Sequence, residues 1–66
     1  MLEHIDSFKT KAGHVFLDKT DRRDPYIVTW EYTNEPQEFR AVANVVSATQ
    51  LFLSICDTLM ARGEVV

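Results

Sequence analysis

The segment between Asn34 and Gly63 constrains the fold more than any other, because it reads as one long amphipathic helix. A short polar side chain at Thr33 or Asn34 can accept hydrogen bonds from the first free amides of a helix, and Pro36 suits a first helical turn. Gly63 is placed to end the helix in a left-handed conformation. We therefore predict a helix over residues 35–62, about 40 Å long.

The apolar side chains of this predicted helix cover more than half of its circumference, whereas an ordinary surface helix carries a stripe of roughly 100°. Two overlapping seams with spacings of three and four residues can be traced along it. The first seam consists of Val42, Val45, Thr49, Phe52, Cys56 and Leu59. The second seam consists of Phe39, Val42, Val46, Leu53, Cys56 and Met60. One side of the helix can pack on the rest of the chain and the other needs a partner, so we predict a homodimer with the first seam as its interface.

The length of the chain also favours association. Its 66 residues are expected to form one domain, and domains of this size usually need disulfides, a metal or oligomerisation to be stable. A single cysteine, Cys56, excludes an internal disulfide. One cysteine together with His4 and His14 does not match the spacing of a zinc site. We expect neither a metal nor a cofactor, and association is the remaining source of stability.

Composition and charge argue against several classes of protein. Hydrophobic residues make up 45% of the chain and charged residues 26%, which is typical of a folded globular domain. The net charge of −3 gives no general attraction to nucleic acid or to an anionic membrane. No apolar run approaches the ~20 residues that cross a bilayer, and the start of the chain lacks the apolar core of a signal peptide. We expect a cytoplasmic protein without membrane contact.

The residues before the long helix predict an antiparallel meander of two or three strands. Residues 26–32 alternate between two faces, and residues 14–18 form a second short strand rich in β-forming side chains. The charged loop between them is too short for a crossover, so the two strands pair antiparallel. Residues 4–11 fit either an edge strand or a short helix, and their alternation favours the strand. The expected fold is α+β, a small two-layer domain with one long C-terminal helix.

No residue pattern predicts catalytic chemistry. Cys56 lies within the apolar arc of the helix, where burial raises the pKa of a thiol, so we expect a structural cysteine rather than a nucleophile. The aromatic residues Tyr26, Trp30 and Tyr32 have the spacing of a base-stacking platform. Such a face usually forms the core of the sheet against a helix, and we expect that role here. We therefore predict that the protein is not an enzyme.

The charged loop between the two clear strands is the most conspicuous polar element. Its Arg22 and Arg23, together with Lys19, are candidate contacts to the phosphates or carboxylates of a partner. Lys9 and Lys11 bring the cations of the N-terminal segment to five. Five acidic residues in the same segment cancel this charge, which favours a solvated turn over a basic patch.

The function expected from these features is binding to another protein. We predict a non-enzymatic, homodimeric regulatory or accessory protein, because a fold without catalytic groups presents an unusually apolar helix and polar loops for contacts. The alternative is a nucleic-acid-binding module that uses the cations of the N-terminal half, with dimerisation doubling their number. Nucleic acid is the less favoured partner because the charge around these cations is balanced.

Overall fold

The computed structural model describes residues 2–63, which form a four-stranded antiparallel sheet followed by one helix. The elements in chain order are β1 (Glu3–Thr10), β2 (Gly13–Lys19), β3 (Tyr26–Tyr32), β4 (Glu38–Val42) and α1 (Val45–Gly63). The strands lie in the order β1-β2-β3-β4, so each pairs with its neighbour in sequence. The predicted α+β meander with a C-terminal helix is confirmed. The predicted number of strands is wrong, since the described residues form four rather than two or three.

The fourth strand occupies residues that we expected to begin the helix. The backbone amide of Glu35 donates to the carbonyl oxygen of Tyr32 at 3.0 Å, and Asn34 has a φ of 69°. A positive φ at the third position of a four-residue turn is typical of a type II turn, where Asn and Gly are favoured. Thr33 and Asn34 therefore belong to a turn and do not cap a helix. The prediction of a helix over residues 35–62 is wrong in its first ten residues.

Strand β4 alternates between the two faces of the sheet. Arg40 lies opposite Val28 of β3, and Phe39 lies opposite Thr29. Val28 is fully buried under the helix, so Arg40 belongs to the face that carries α1, which we call the inner face. Phe39 and Thr29 belong to the opposite face, which we call the outer face. Strand pairing thus replaces the expected first turns of the helix and leaves α1 with 19 residues.

Helix α1 begins at Val45 and is capped by Asn44. The side-chain oxygen Oδ1 of Asn44 accepts a hydrogen bond from the amide of Ser47 at 2.8 Å. The backbone carbonyl of Asn44 accepts one from Ala48 at 3.2 Å, which closes the first turn. An asparagine in this position stabilises a helix by ~1 kcal/mol relative to alanine.

Gly63 is the last helical residue described, and it has no positive φ. A Cβ atom at this position would lie 2.8 Å from Oγ1 of Thr10, so glycine allows the helix to approach β1 closely. The same hydroxyl of Thr10 donates to the carbonyl of Leu59 at 3.3 Å. The expected left-handed closure at Gly63 is therefore wrong, and close packing explains the glycine instead.

The core lies between the inner face of the sheet and α1. Its buried side chains are Val15, Leu17, Val28, Ala48, Phe52, Ile55, Cys56 and Leu59. They alternate along β2 and recur at three- and four-residue spacings along α1, as expected for one face of a strand and one face of a helix, and β3 contributes Val28.

The residues that fitted either a strand or a short helix form β1, which pairs antiparallel with β2. The register of this pair shifts between His4 and Asp6, which places one extra residue, Ile5, in a β-bulge. Strand β2 exceeds the expected residues 14–18 by one residue at each end, and β3 has the expected bounds.

The C-terminal turn of α1 contacts the turn between β3 and β4. Nη1 of Arg62 lies 3.1 Å from Oε2 of Glu35. The guanidinium group also lies 4.3 Å from the ring centroid of Tyr32. We expected Glu35 and Arg62 at opposite ends of one helix, but the added strand reverses the chain and brings them together.

Candidate interaction surface

The described part of the chain brings together few groups that could act chemically. Within residues 2–63, no three His, Cys, Asp or Glu side chains gather where they could hold a metal ion. A surface pocket of about 330 Å³ is lined by Leu2, Glu3, Lys19, Thr20 and Asp21. Its lining combines one cation, two carboxylates and one threonine hydroxyl, without a cysteine or an imidazole. Surfaces rather than pockets are therefore the candidate sites.

None of the helices in residues 2–63 combines the length and the apolar character required to cross a membrane.

The structure places half of the predicted dimer interface inside the chain's own core. The predicted residues are Val42, Val45, Thr49, Phe52, Cys56 and Leu59. Phe52, Cys56 and Leu59 are buried against the sheet. Val42 belongs to β4, whereas Val45 is exposed on the helix. Because a second chain cannot reach the three buried side chains without opening the fold, the first seam is not an accessible surface.

The second predicted seam supplies the exposed apolar surface of the helix. Its members Val46, Leu53 and Met60 are 62%, 54% and 37% exposed, respectively. Their seven-residue spacing corresponds to almost two helical turns, so the three side chains lie in one row. We call this row the helix stripe. Phe39 of the same seam lies instead in β4, and Cys56 is buried.

The helix stripe runs along the flank of α1 that is nearer to β1. Cys56 follows Leu53 by three residues and precedes Met60 by four, so it is the neighbour of both on the helix surface. Burial raises the pKa of the Cys56 thiol, and the carboxylates of Asp6 and Asp57 raise it further. Asp6 belongs to β1, whereas the opposite flank of the helix carries Arg62 against Tyr32 of β3. Acidic side chains thus border the stripe.

We expect the thiol of Cys56 to react slowly with an aromatic disulfide reagent in the native protein and rapidly in denaturant. The raised pKa keeps the thiolate scarce near neutral pH, and burial restricts access to the sulfur. Reaction rates measured spectrophotometrically with and without urea check this. Rapid labelling of the native protein, at a rate close to that in urea, would contradict it.

The same thiol makes stability depend on pH. The unfolded chain releases this proton at a lower pH than the folded chain, because the folded-state pKa is raised. The contribution of the protonated thiol to the free energy of unfolding is fully present below the unfolded-state pKa. It is lost as pH rises through the folded-state pKa. The difference in unfolding free energy between the wild type and Cys56→Ala isolates this contribution from other alkaline titrations.

The five cations of the N-terminal half do not form one patch. Lys11 lies in the turn between β1 and β2, whereas Arg22 and Arg23 lie in the loop between β2 and β3. These connections are at opposite ends of β2, about 20 Å apart at ~3.4 Å per residue. Lys19 lies at the arginine end, with Nζ 5.7 Å from the centroid of a tyrosine ring of β3. The candidate contacts Lys19, Arg22 and Arg23 thus share one end, without Lys9 or Lys11.

The aromatic residues considered as a stacking platform lie under the helix. Tyr26, Trp30 and Tyr32 are half-buried on the inner face and pack against the core. Since α1 covers this face, nucleic-acid bases have no access to it as a platform.

The outer face of the sheet carries a row of two phenylalanines and one threonine, which we call the outer row and which the sequence did not reveal. Phe16 of β2 lies opposite Thr29 of β3, which in turn lies opposite Phe39 of β4. Phe39 is 71% exposed, more than any other large hydrophobic side chain in residues 2–63. Alternation within residues 38–42 was the signal that could have identified this row.

Two histidines lie beside Phe16, at one end of the outer row. The ring centroids of His4 and His14 lie 6.2 and 4.9 Å from that of Phe16. Nδ1 of His4 lies 3.0 Å from Oδ1 of Asp18, and Nε2 of His14 lies 3.4 Å from Oε1 of Glu31. Each imidazole is thus held beside a carboxylate, and the sheet separates both from the thiol of the core.

The edge formed by β4 is open. This strand pairs with β3 on one side, and no described strand pairs with its other side. Unpaired backbone groups along such an edge can receive a further strand.

Comparison of the chain with protein-family models, with curated proteins and with solved structures gives no match. The two surfaces from which a function is proposed are the helix stripe and the outer row, which ends at the open edge of β4.

Proposed function

We propose that the chain is a non-enzymatic protein that binds another protein and acts as a homodimer. The helix stripe is the observation that supports binding most directly. Three apolar side chains lie exposed in one row of a helix whose adjacent face is already packed on the sheet. Exposed apolar side chains aligned in one row of a helix are typical of a helix–helix interface.

The stripe fits an amphipathic helix of the partner protein. A row of Val46, Leu53 and Met60 at seven-residue spacing matches the seam of a helix pair, in which side chains of one helix fill gaps of the other. Asp57 lies beside the stripe, and Asp6 lies on the neighbouring strand. These acids and the net charge of −3 favour Lys and Arg on the flanks of the partner helix.

The arrangement of potential nucleophiles supports a non-enzymatic role. Cys56 lies between the sheet and α1, whereas His4 and His14 lie on the outer face. A thiol on one side of the sheet cannot transfer its proton to an imidazole on the other, which a Cys–His nucleophile pair would require. We place the protein in the cytoplasm, where a free buried cysteine is stable against oxidation.

Site-specific photo-crosslinking tests the stripe. A benzoyl-phenylalanine at position 60 should form an adduct with a partner protein in cells of the source organism. Leu53→Asp should lower the adduct yield about tenfold, because it places a charge in an apolar contact. Ser54→Asp, one position away on the polar side of α1, should change the yield less than about twofold.

Equal yields from the Leu53→Asp and Ser54→Asp variants would contradict binding through the stripe. Nuclease treatment of the lysate before adduct purification separates the alternative function. An adduct that survives nuclease supports protein binding. Two results together would favour nucleic acid as the partner. These are loss of the adduct after nuclease treatment and loss of the adduct in an Arg22→Ala and Arg23→Ala double variant.

A further inference from the structure

We propose that two copies of the chain pair through the open edge of β4, antiparallel and in the register that places Phe39 opposite Phe39 of the second copy. The two sheets then join into one continuous sheet of eight strands. This inference rests on the homodimer of the proposed function and names the surface that forms it. The helix stripes of both copies remain free for partner proteins.

The two edges of the sheet differ in a way that favours β4. Both edge strands carry charged side chains, but β1 also has the bulge at Ile5, which interrupts its register. A bulge on an edge strand hinders pairing with another sheet. Strand β4 keeps an unbroken register with β3 over all of its five residues. Its outer-face side chain Phe39 is largely exposed.

Geometry limits the possible registers of a symmetric β4 pair. A two-fold axis perpendicular to the sheet places the inner faces of both copies on the same side. Directly opposed residues of an antiparallel pair must then belong to the same face. This requires that the axis pass beside a residue that lies opposite itself in the second copy, and not between two residues. An axis at Arg40 would place two guanidinium groups directly opposite each other. An axis at Ala41 would bring no opposite charges together.

An axis at Phe39 makes the strand complementary to itself. Glu38 then lies opposite Arg40 of the second copy, and Arg40 lies opposite Glu38 of the second copy. Opposite charges in directly opposed positions stabilise an antiparallel pair, whereas like charges destabilise it. The sequence Glu38-Phe39-Arg40 thus favours this register over the other two.

The same register covers apolar surface on the outer face. The row Phe16, Thr29 and Phe39 continues across the axis into the same row of the second copy, with the two Phe39 rings side by side. Directly opposed aromatic side chains on one face of an antiparallel pair attract each other. The side chain that is most exposed in the single chain becomes central to the interface.

Two single charge reversals and their mixture test the register. Glu38→Arg places cations opposite the Arg40 of a second copy, and Arg40→Glu places anions opposite its Glu38, so each variant should dimerise about tenfold or more weakly than the wild type. A mixture of the two variants restores both opposite-charge pairs and should form heterodimers with an affinity close to that of the wild type. Sedimentation equilibrium gives the affinities, and native mass spectrometry identifies the heterodimer by mass.

The outcomes separate this inference from the proposed function. Single variants that dimerise as well as the wild type, or a mixture that forms no heterodimer, would overturn pairing through β4. If Leu53→Asp dissociates the dimer and the β4 variants do not, the wild-type protein is a homodimer that forms through the helix stripe, and pairing through β4 is overturned. A folded wild-type protein that stays monomeric at high micromolar concentration overturns the homodimer itself, while the crosslinking result for the stripe is unaffected. Circular dichroism should show that the variants, which are altered at exposed positions, are folded.

Discussion

Replacing Leu59 by alanine is expected to lower the free energy of unfolding by about 2–5 kcal/mol. The side chain of Leu59 is 0% exposed and is the largest of the fully buried side chains in residues 2–63. It fills the space between α1 and the sheet, so its removal leaves a cavity that the surrounding strands cannot close. A domain of this size has a total stability on the order of 3–10 kcal/mol. Urea denaturation followed by circular dichroism should therefore show a protein close to unfolding.

Leu53→Ala provides a matched control on the same helix. The substitution removes the same atoms from a side chain that is largely exposed, so we expect a loss below about 0.5–1 kcal/mol. Both variants should be compared with the wild type at one protein concentration, because association adds to apparent stability. Similar losses at the two positions would contradict the packing of α1 described above.

Gly13→Ala is expected to cost about 3 kcal/mol or more. Gly13 has a backbone φ of 148°, which residues other than glycine rarely adopt. An added Cβ atom would overlap the carbonyl oxygen of Glu31 and lie 2.9 Å from Cα of Tyr32. Both atoms belong to the backbone of β3, so the β2–β3 pairing must shift to make room. The expected result is a large drop in the urea midpoint or loss of the folded protein.

Gly63→Ala is the matched comparison for this substitution. Its Cβ would lie 2.8 Å from Oγ1 and 2.9 Å from Cβ of Thr10, so the end of α1 must move slightly away from β1, but the position has no positive φ. The higher helix propensity of alanine offsets part of this packing cost, so the net loss should be about 1–2 kcal/mol. An alanine at position 13 that is tolerated as well as one at position 63 would contradict the backbone conformation of the β1–β2 hairpin.

The second and third strands could be predicted from sequence because their signals are local, whereas the first was one of two alternatives. Residues 26–32 alternate strictly between two faces, and a short charged loop joins them to residues 14–18, so both the strands and their antiparallel pairing follow from neighbouring residues. The fourth strand could not be predicted in this way. Phe39 and Val42 fit a helical seam, whereas the alternation of residues 38–42 fits a strand equally well. Pairing with β3, which is a tertiary interaction, decides between the two.

Two asparagines show the same limit. Asn34 and Asn44 both suit the start of a helix, because a short side chain can accept hydrogen bonds from the first amides. Asn34 also tolerates a positive φ, and the structure uses it in the turn that begins the return to β4. The true cap, Asn44, is separated from Val42 by a single residue. The choice between them depends on where the strand ends, which neither asparagine determines.

The candidate interaction surface was predictable only in part. The periodicity identified two seams on the helix but could not say which one faces the sheet, because the rotation of α1 is set by its packing on β2 and β3. Phe52, Cys56 and Leu59 meet the sheet, and this leaves Val46 and Leu53 outside. The outer row was not predicted, since Phe39 was assigned to the helix.

The position of α1 after all four strands determines when the core can form during synthesis. The hairpins of the meander can close as soon as they leave the ribosome, because each strand pairs with its neighbour in the chain. Val15 and Val28 stay uncovered until α1 has also emerged. A nascent chain halted before Val45 therefore presents an apolar sheet with open edges, which is a substrate for chaperones and a starting point for aggregation.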